Sequence, residues 1–267
     1  MKIRLNRYPD GKDKAATLSY DDGRVHDRAL VEILNRHGLK STFHLNSSTL
    51  DRDGFIRRDE VAALFQGHEI AIHTVTHPHL TEIPRERLIM EIMEDRSALE
   101  ELAGYPVRGM SYPFGTTDSR VVEVLSSLGI AYARTTESHL SFQLPNQFLQ
   151  WGATCHHNNN LLQRTEEFLN RSVWHTMGLL YVWGHSYEFD NDSNWELMES
   201  FGKLLSARED VWFATNIEIY DYMNAVRSLQ LTVNGKVVYN PSAIPVWISV
   251  NQETVKINSG ETVRFSN

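Results

Sequence analysis

Residues 1–229 alternate short apolar runs with amphipathic stretches, and this alternation limits the fold more than any other feature of the sequence. Ala15–Tyr20 is typical of a buried strand, and Asp27–His37 places its apolar residues on one helical face, with Gly38 positioned to end the helix. About seven such strand–helix repeats favour a parallel sheet, because each crossover returns the chain to the same end of the sheet. At this length we expect an α/β fold with a seven-stranded barrel, closed or somewhat distorted.

The individual elements follow from the period of the apolar residues. Strands are predicted at Ala15–Tyr20, Ser41–Leu45, Glu69–His73, Val107–Tyr112, Ile130–Thr135, Leu179–Gly184 and Val211–Thr215. Helices are predicted at Asp27–His37, Asp59–Gln66, Pro84–Ala103, Ser119–Leu128, Leu161–Arg171, Trp195–Ala207 and Ile217–Leu229. In the helix from Pro84 to Ala103, Leu88, Ile92 and Met93 are expected on the buried stripe. Asn146–His157 fits neither period and is left unassigned.

The pattern changes at Gln230. Leu231–Tyr239 alternates with a period of two around Asn234-Gly235, which indicates a hairpin. Further strands are predicted at Val246–Val250, Thr254–Ile257 and Thr262–Phe265, the last two connected around Ser259-Gly260. About 38 residues are too few to hold a core alone. We therefore expect residues 230–267 to form a small β extension that packs on a barrel domain of residues 1–229, either as a structural cap or as a sugar-binding module.

Composition excludes several classes of protein. The 26 Lys and Arg against 34 Asp and Glu leave a formal net charge of −8, which argues against a general nucleic-acid binder. The single cysteine, Cys155, cannot form an intrachain disulfide. No apolar run is long enough for a membrane span. The first ten residues lack the apolar core of a secretory signal, so we expect a cytoplasmic location if Met1 is the native start.

Polar residues gather where the predicted strands end. Asp21 and Asp22 follow the first strand, and His73 ends the third, four residues before His77. Further along the chain, Tyr112, Arg134 and His185 lie at the ends of later strands. In a parallel barrel these ends form one rim, which is where catalytic residues collect.

Two imidazoles four residues apart can bind one ion if the turn between them is helical, and a carboxylate from another strand completes a set of three ligands. Such a set leaves positions open for water and substrate. Each residue also has an ordinary alternative: Asp21-Asp22-Gly23 is compatible with a simple turn, and His185 with a buried structural histidine. Adjacent residues of a strand point in opposite directions, so we expect Asp21 and Asp22 to have different roles.

These segments resemble the polysaccharide deacetylases of carbohydrate esterase family four, the NodB-homology fold, over Ala15–Leu229. The family's Thr-Phe-Asp-Asp-Gly corresponds to Ser19–Gly23, and its His-Ser/Thr-x-x-His to His73–His77. The later motifs, Pro-Pro-Tyr-Gly and an apolar strand ending in His, resemble Tyr112–Gly115 and Leu180–His185. The closing strand of the family resembles Val211–Asn216.

The resemblance implies a role for each matched residue. Asp22, His73 and His77 would hold a divalent metal, with Zn²⁺ expected and Co²⁺ or Ni²⁺ as alternatives. Asp21 would be the general base, and His185 the general acid. The backbone N–H of Phe114 would help to stabilise the oxyanion.

The sequence departs from the family at two places. Ser111 stands where the third motif begins with an Arg, so either Arg108 or Arg134 is expected to support Asp21. No acidic residue lies between Ser138 and His157, where the fourth motif supplies an Asp that tunes the acid histidine. Glu188 and Asp190 are the candidates to replace that Asp. His79 is interpreted as a solvated loop residue, with a position lining the cleft as the alternative, and Cys155–His157 as a weaker ligand-like cluster.

Residues expected to contact substrate are Tyr112, Pro113, Arg134, Trp183 and His157. The favoured function is metal-dependent hydrolysis of an N-acetyl group on an amino sugar or its oligomer, without a nucleic-acid partner or a membrane span. One alternative keeps the fold and the metal but hydrolyses another C–N bond, in a cyclic imide or ureide. Another is a non-catalytic carbohydrate-binding protein. The oligomeric state stays open.

Overall fold

A computed structural model describes residues 1–172 and 177–265, and it confirms the α/β fold. The first strands in chain order are β1 (Ile3–Arg4), β2 (Lys14–Asp21), β3 (Thr42–Leu45), β4 (Glu69–Ile72), β5 (Gly109–Ser111), β6 (Tyr132–Ser138), β7 (Trp151–Ala153), β8 (Cys155–His156), β9 (Gly178–Gly184) and β10 (Val211–Phe213). The C-terminal strands are β11 (Gln230–Leu231), β12 (Val237–Tyr239), β13 (Val246–Val250), β14 (Glu253–Ile257) and β15 (Thr262–Arg264). The helices are α1 (Asp27–Arg36), α2 (Val61–Leu64), α3 (Arg85–Ala103), α4 (Ser119–Ser127), α5 (Leu161–Asn170), α6 (Tyr187–Asn191), α7 (Glu196–Ser206) and α8 (Asn216–Ser228).

The central sheet is parallel. Strands β2 to β6 pair with their neighbours in chain order, and β9 pairs with the other side of β2 over the length of that strand. Such pairing requires a crossover after each strand, and the helices supply most of these crossovers. All the strands therefore point their carboxyl ends to the same rim.

The unassigned stretch Asn146–His157 joins the two sides of this sheet. Its strand β7 pairs with β6, whereas β8 pairs with β9, and only Thr154 separates the two. Thr154 donates its N–H to the Tyr181 carbonyl of β9 at 2.8 Å. The stretch thus occupies the seventh position around the barrel. The sequence predicts Val211–Thr215 for that position, but β10 is three residues long and pairs only with the first residues of β2.

The alternation along β2 separates two environments. Ala16, Leu18 and Tyr20 pack with the helices in one apolar core. Thr17 and Asp21 point the other way and are buried among polar groups, with the Thr17 hydroxyl donating to Asn216 at 2.8 Å. A barrel whose interior is polar near its rim can hold charged groups away from solvent while keeping them hydrogen-bonded.

Helix predictions differ from the structure in two places. The segment Asp59–Gln66 is a short 3-10 turn followed by only one turn of α-helix, α2. In α3 the prediction that Met93 lies on the buried stripe is wrong: Met93 is 40% exposed, while Glu91 and Asp95 are buried. These carboxylates remain stable when buried because they accept backbone N–H groups from the loops that follow β3 and β4.

The C-terminal strands contact the amino-terminal end of the barrel, opposite the rim. Strand β13 pairs with β1, and Val246, Ile248 and Ile257 pack with Tyr8 and Met223 in one apolar cluster. The predicted hairpin around Gly235 is present. Strands β14 and β15 are connected but do not pair with each other, since β14 pairs with β13 and β15 with β12. The division into domains 1–229 and 230–267 stays a prediction, and residues 266 and 267 lie outside the described residues.

Within the described parts of the chain, no helix is both long enough and apolar enough to cross a membrane.

Glu69, at the start of β4, makes stability depend on pH. Its carboxylate is buried and accepts hydrogen bonds from Thr42, Tyr132 and the Ile217 N–H at 2.7–2.9 Å. Burial nevertheless raises its pKa from 4.5 to about 7. The folded state therefore holds this proton at pH values where the unfolded state has lost it, so the free energy of unfolding falls as the pH rises from 4.5 to about 7.

We expect Glu69→Gln to remove this fall, which a pKa shift of this size places on the order of 3 kcal/mol. Urea unfolding at a series of pH values measures it, with the exposed Glu82→Gln as the control. A Glu69→Gln protein whose pH dependence matches that of the wild type would show that Glu69 does not carry the effect.

Candidate active site

The rim of the barrel brings together the carboxylates of the β2 end and the imidazoles that follow β4. Nε2 of His73 lies 3.8 Å from a carboxylate oxygen of Asp22 and 3.9 Å from one of Asp21. The His77 ring stands with its centroid 4.7 Å from that of His73. One ligand atom from each of Asp22, His73 and His77 fits within 4.8 Å of the others. The structure therefore assembles the three predicted ligands.

Left-handed backbone, rather than a helical turn, produces this arrangement. Thr74 and His77 have φ values of 69° and 58°, so the His73–His77 segment is an irregular loop. Asp22 also has a positive φ, 82°, which ends the alternation of β2 and leaves both aspartates facing His73. The expectation that Asp21 and Asp22 point in opposite directions is therefore wrong. Their surroundings still differ, because Asp21 is buried and Asp22 is partly exposed.

Two buried carboxylates of α3 hold the histidine loop in place. Asp95 accepts the N–H groups of His73 at 3.1 Å and Ser47 at 2.7 Å. Glu91 accepts the N–H of Thr76 at 2.8 Å and its hydroxyl at 2.7 Å. These bonds satisfy backbone donors that the irregular loop cannot pair internally, and they fix the positions of both imidazoles.

The donor set fits a divalent metal. Nδ1 of His73 lies 2.9 Å from the Ser111 carbonyl, which can only accept, so Nδ1 carries the proton and the Nε2 lone pair faces Asp22. Burial lowers the pKa of His73 to about 3, so the ring is neutral, which is the form that binds metal. Two neutral imidazoles and one carboxylate are a common catalytic zinc set, with ligand positions left open. Several divalent metals accept imidazole and carboxylate ligands, so this ligand set does not select one ion.

Asp21 is held in its charged form. It is 3% exposed, it pairs with Arg134 through one oxygen, and its other oxygen accepts from the Ser111 hydroxyl at 3.2 Å. His44 lies 3.2 Å from the same oxygen as Ser111. Burial by itself raises the pKa of Asp21, but the Arg134 charge and the adjacent imidazoles outweigh it and hold the pKa well below its usual value.

The choice between two arginines is settled by the structure. Arg134, which pairs with Ser111 of β5 within strand β6, is fully buried and bonds Asp21. Arg108 instead forms a partly exposed pair with Asp221 on α8, at 2.6 and 3.0 Å. Arg134 thus approaches Asp21 from β6, while Ser111 adds a hydroxyl at the position where the family has its arginine.

The partner of His185 is Glu188, one turn later. The His185 N–H donates to one Glu188 oxygen at 3.0 Å, and Nδ1 of His185 lies 3.3 Å from the other. Asp190 instead lies near His26 and accepts from Trp195. Burial by itself lowers the pKa of His185, but Glu188 and the two aspartates more than offset it, so the pKa lies above its usual value.

Phe114 stands beside the metal set. Its backbone is left-handed, with φ 58°, and its side chain is 51% exposed. The ring lies 4.5 Å from that of His77 and stacks on His79 at 3.9 Å. His79 is therefore part of the wall around the site rather than a solvated loop residue as expected.

Several predicted substrate contacts are corrected by burial. Tyr112, Pro113, Arg134 and His157 are all buried, so none offers a surface to a ligand. Tyr112 donates its hydroxyl to the Leu149 carbonyl at 2.6 Å, Arg134 pairs with Asp21, and His157 stacks on Phe189. Of the five residues, only Trp183 is partly exposed, and its ring lies over the Arg134 guanidinium at 4.5 Å.

Sequence reasoning missed His44. It lies on β3 with no exposed surface and contacts both Ser19 and Asp21. The only available signal was its position one residue before the end of a buried strand, on the side that faces the Asp21 side of β2. Asp95 and Glu91 were missed for another reason, because the apolar period of α3 concealed them.

Part of the sequence is similar to known deacetylases. The sequence model of the polysaccharide deacetylase family matches residues 8–133. The peptidoglycan-N-acetylglucosamine deacetylase PgdA of Listeria monocytogenes is 27% identical over 139 residues, 51% of this chain and 29% of that protein. The chitooligosaccharide deacetylase of Sinorhizobium fredii is 30% identical over 118 residues, 43% of this chain and 53% of that protein. The chain thus spans about half, or less, of the length of these relatives.

Structural similarity extends over more of the chain than sequence similarity does. The crystal structure of a putative polysaccharide deacetylase from Mycobacterium smegmatis superposes with a TM-score of 0.65 at 17% identity, covering 85% of this chain and 96% of that one. The chain therefore shares the fold of that solved structure. The segment that the family model matches carries Asp21, Asp22, His73 and His77.

Proposed function

We propose that this protein is a metal-dependent hydrolase that removes an N-acetyl group from an amino sugar or its oligomer. The observation that carries the proposal is the meeting, at one rim, of the Asp22–His73–His77 set with a charged Asp21 and with His185. A binding protein would need no base beside its metal ligands. The deacetylases that the chain resembles act, by their names, on peptidoglycan N-acetylglucosamine and on chitooligosaccharide.

Each group has a chemical task in amide hydrolysis. Asp22, His73 and His77 would hold a divalent ion, which would supply the Lewis acidity needed to activate water and polarise the acetamide carbonyl. Asp21 accepts the proton of the attacking water, and Arg134 keeps it ionised and oriented. His185, whose raised pKa favours the protonated ring, donates to the departing amine. The N–H of Phe114 is the backbone donor that we assign to the developing oxyanion.

The shape of the rim favours an extended, hydroxyl-rich substrate. A groove of about 1060 Å³ begins at Gly115, next to Phe114, and continues along the end of β6. Its lining includes the polar residues Thr116, Thr135, Thr136, Glu137, His139 and Gln150. A groove of this volume, lined by hydroxyl and amide groups, suits the hydroxyl groups of several sugar rings better than one small cyclic imide. Because Arg134 and Glu188 supply both groups that the motifs lack, these departures do not favour the imide or ureide alternative.

The test is acetate release from N-acetylglucosamine oligomers of increasing length, measured with the protein reconstituted in turn with Zn²⁺, Co²⁺ and Ni²⁺. We expect turnover with at least one ion, an increase with chain length as the groove fills, and loss of turnover on chelation. Hydrolysis of cyclic imides or ureides without acetate release would support the alternative. Ion binding without turnover on any of these amides would contradict both. The predicted cytoplasmic location stays a prediction, as does the native metal.

A further inference from the structure

A second cluster of metal-ligating side chains lies behind His185. His156 and His157 follow one another at the end of β8, and Glu188 approaches them from α6. One oxygen of Glu188 lies 3.1 Å from Nε2 of His156 and 3.3 Å from Nε2 of His157. Neighbouring ligand atoms of a tetrahedral zinc site are roughly 3.3 Å apart, so these spacings are those of ligands around one ion.

The buried ring of His157 supports this interpretation. His157 has no exposed surface, and its ring packs against those of Tyr20 and Phe189, with centroid separations of 5.8 and 4.2 Å. It also lies so close to Gly184 that no side chain larger than hydrogen fits there. Among the described residues, neither ring nitrogen of His157 has a hydrogen-bond partner, although a Glu188 oxygen lies 3.3 Å away. The Glu188 oxygen and Nε2 of His157 are therefore close together but not oriented as a hydrogen bond, which is the arrangement expected of two ligands of one ion.

The remaining ligands have suitable chemistry. His156 is partly exposed, which provides an entry path and room for water as a fourth ligand. Nδ1 of His156 accepts the N–H of Asn158 at 3.2 Å. A cation bound to Nε2 would leave the ring proton on Nδ1, so this hydrogen bond, which lies in an exposed turn, would be lost.

We propose that His156, His157 and Glu188 form a second divalent-cation site, separate from the Asp22–His73–His77 set, that takes Zn²⁺ or a similar ion. The two carboxylate oxygens of Glu188 contact different imidazoles. One faces the histidine pair, and the other faces Nδ1 of His185. An ion in this site therefore links β8 to α6 and fixes the carboxylate that orients His185.

The test counts ions rather than turnover, so it stands apart from the proposed deacetylase activity. Untagged protein is dialysed against Zn²⁺, and its metal content is measured by mass spectrometry. We expect two ions per chain in the wild type. The double variant Asp22→Ala/His77→Ala, which lacks the first set, should keep one ion, and adding His156→Ala should remove it. Co²⁺ in the double variant should give the visible absorption of a tetrahedral site.

The matched control is His37→Ala. His37 lies 3.0 Å from Glu199 but belongs to no group of three possible ligands among the described residues, so its loss should leave the count unchanged. Circular dichroism checks the fold, and Glu188→Gln replaces His156→Ala if that variant does not fold. A double variant without bound Zn²⁺, or a His156→Ala derivative that keeps its ion, would overturn the second site. A double variant that still holds two ions would contradict the first set instead.

Discussion

Asp21→Asn is expected to lower kcat by about a hundredfold to ten-thousandfold, the range that a general base contributes. The amide retains the size of the carboxylate but cannot accept the proton of the attacking water. The ligands Asp22, His73 and His77 are unchanged, so the ion of this set should remain bound. Acetate release and metal content, measured on the same preparation, separate the two effects.

The same substitution has a structural cost that needs its own control. Removal of the Asp21 charge leaves Arg134 buried without its counter-charge. Kinetics are therefore measured well below the unfolding temperature of the variant, and Asp190→Asn serves as an exposed acid on the same rim. Undiminished turnover in Asp21→Asn would rule out Asp21 as the base. Loss of the ion together with turnover would show that Asp21 acts on the metal set instead.

Arg134→Met is expected to lower the free energy of unfolding by about 3–5 kcal/mol, because it leaves a buried carboxylate without its partner. Arg108→Met is the matched control, since Arg108 also pairs with an aspartate but at a partly exposed position. A pair of that kind contributes about 0–1 kcal/mol. Urea unfolding of both variants measures the difference directly.

The double variant Asp21→Asn/Arg134→Met refines this comparison. It removes both charges, so we expect less destabilisation than the sum of the two single variants. Equal, small losses in Arg134→Met and Arg108→Met would contradict the assignment of Arg134 as the partner that holds Asp21 charged.

The sequence by itself determined the α/β class and the order of the main strands, and it predicted the residues of the proposed first metal set. Apolar periods report which residues face a core, and the carboxyl ends of parallel strands must share one rim. These two rules are sufficient to place Asp22, His73 and His77 close together in space. The family motifs then suggested roles for Asp21 and His185.

Only the tertiary structure decided which residues form the seventh strand position of the barrel and which residues pair with Asp21 and His185. The stretch from Trp151 to His156 has no regular period, because its two short strands pair with β6 on one side and β9 on the other. The choice of Arg134 over Arg108, and of Glu188 over Asp190, depends on which strand or turn lies next to Asp21 and His185 in space. Such contacts join residues that are distant in the chain, and local patterns do not record them.

Burial of polar groups was the other feature that the sequence did not reveal. Polar residues at strand ends usually face a cleft, which favours Arg134 and His157 as substrate contacts, but Arg134 is buried against Asp21 and His157 is buried against aromatic rings. Asp95 is hidden within an apolar helical stripe for the same reason. A buried charge is stable only where several partners converge on it, and that convergence exists only in the folded chain.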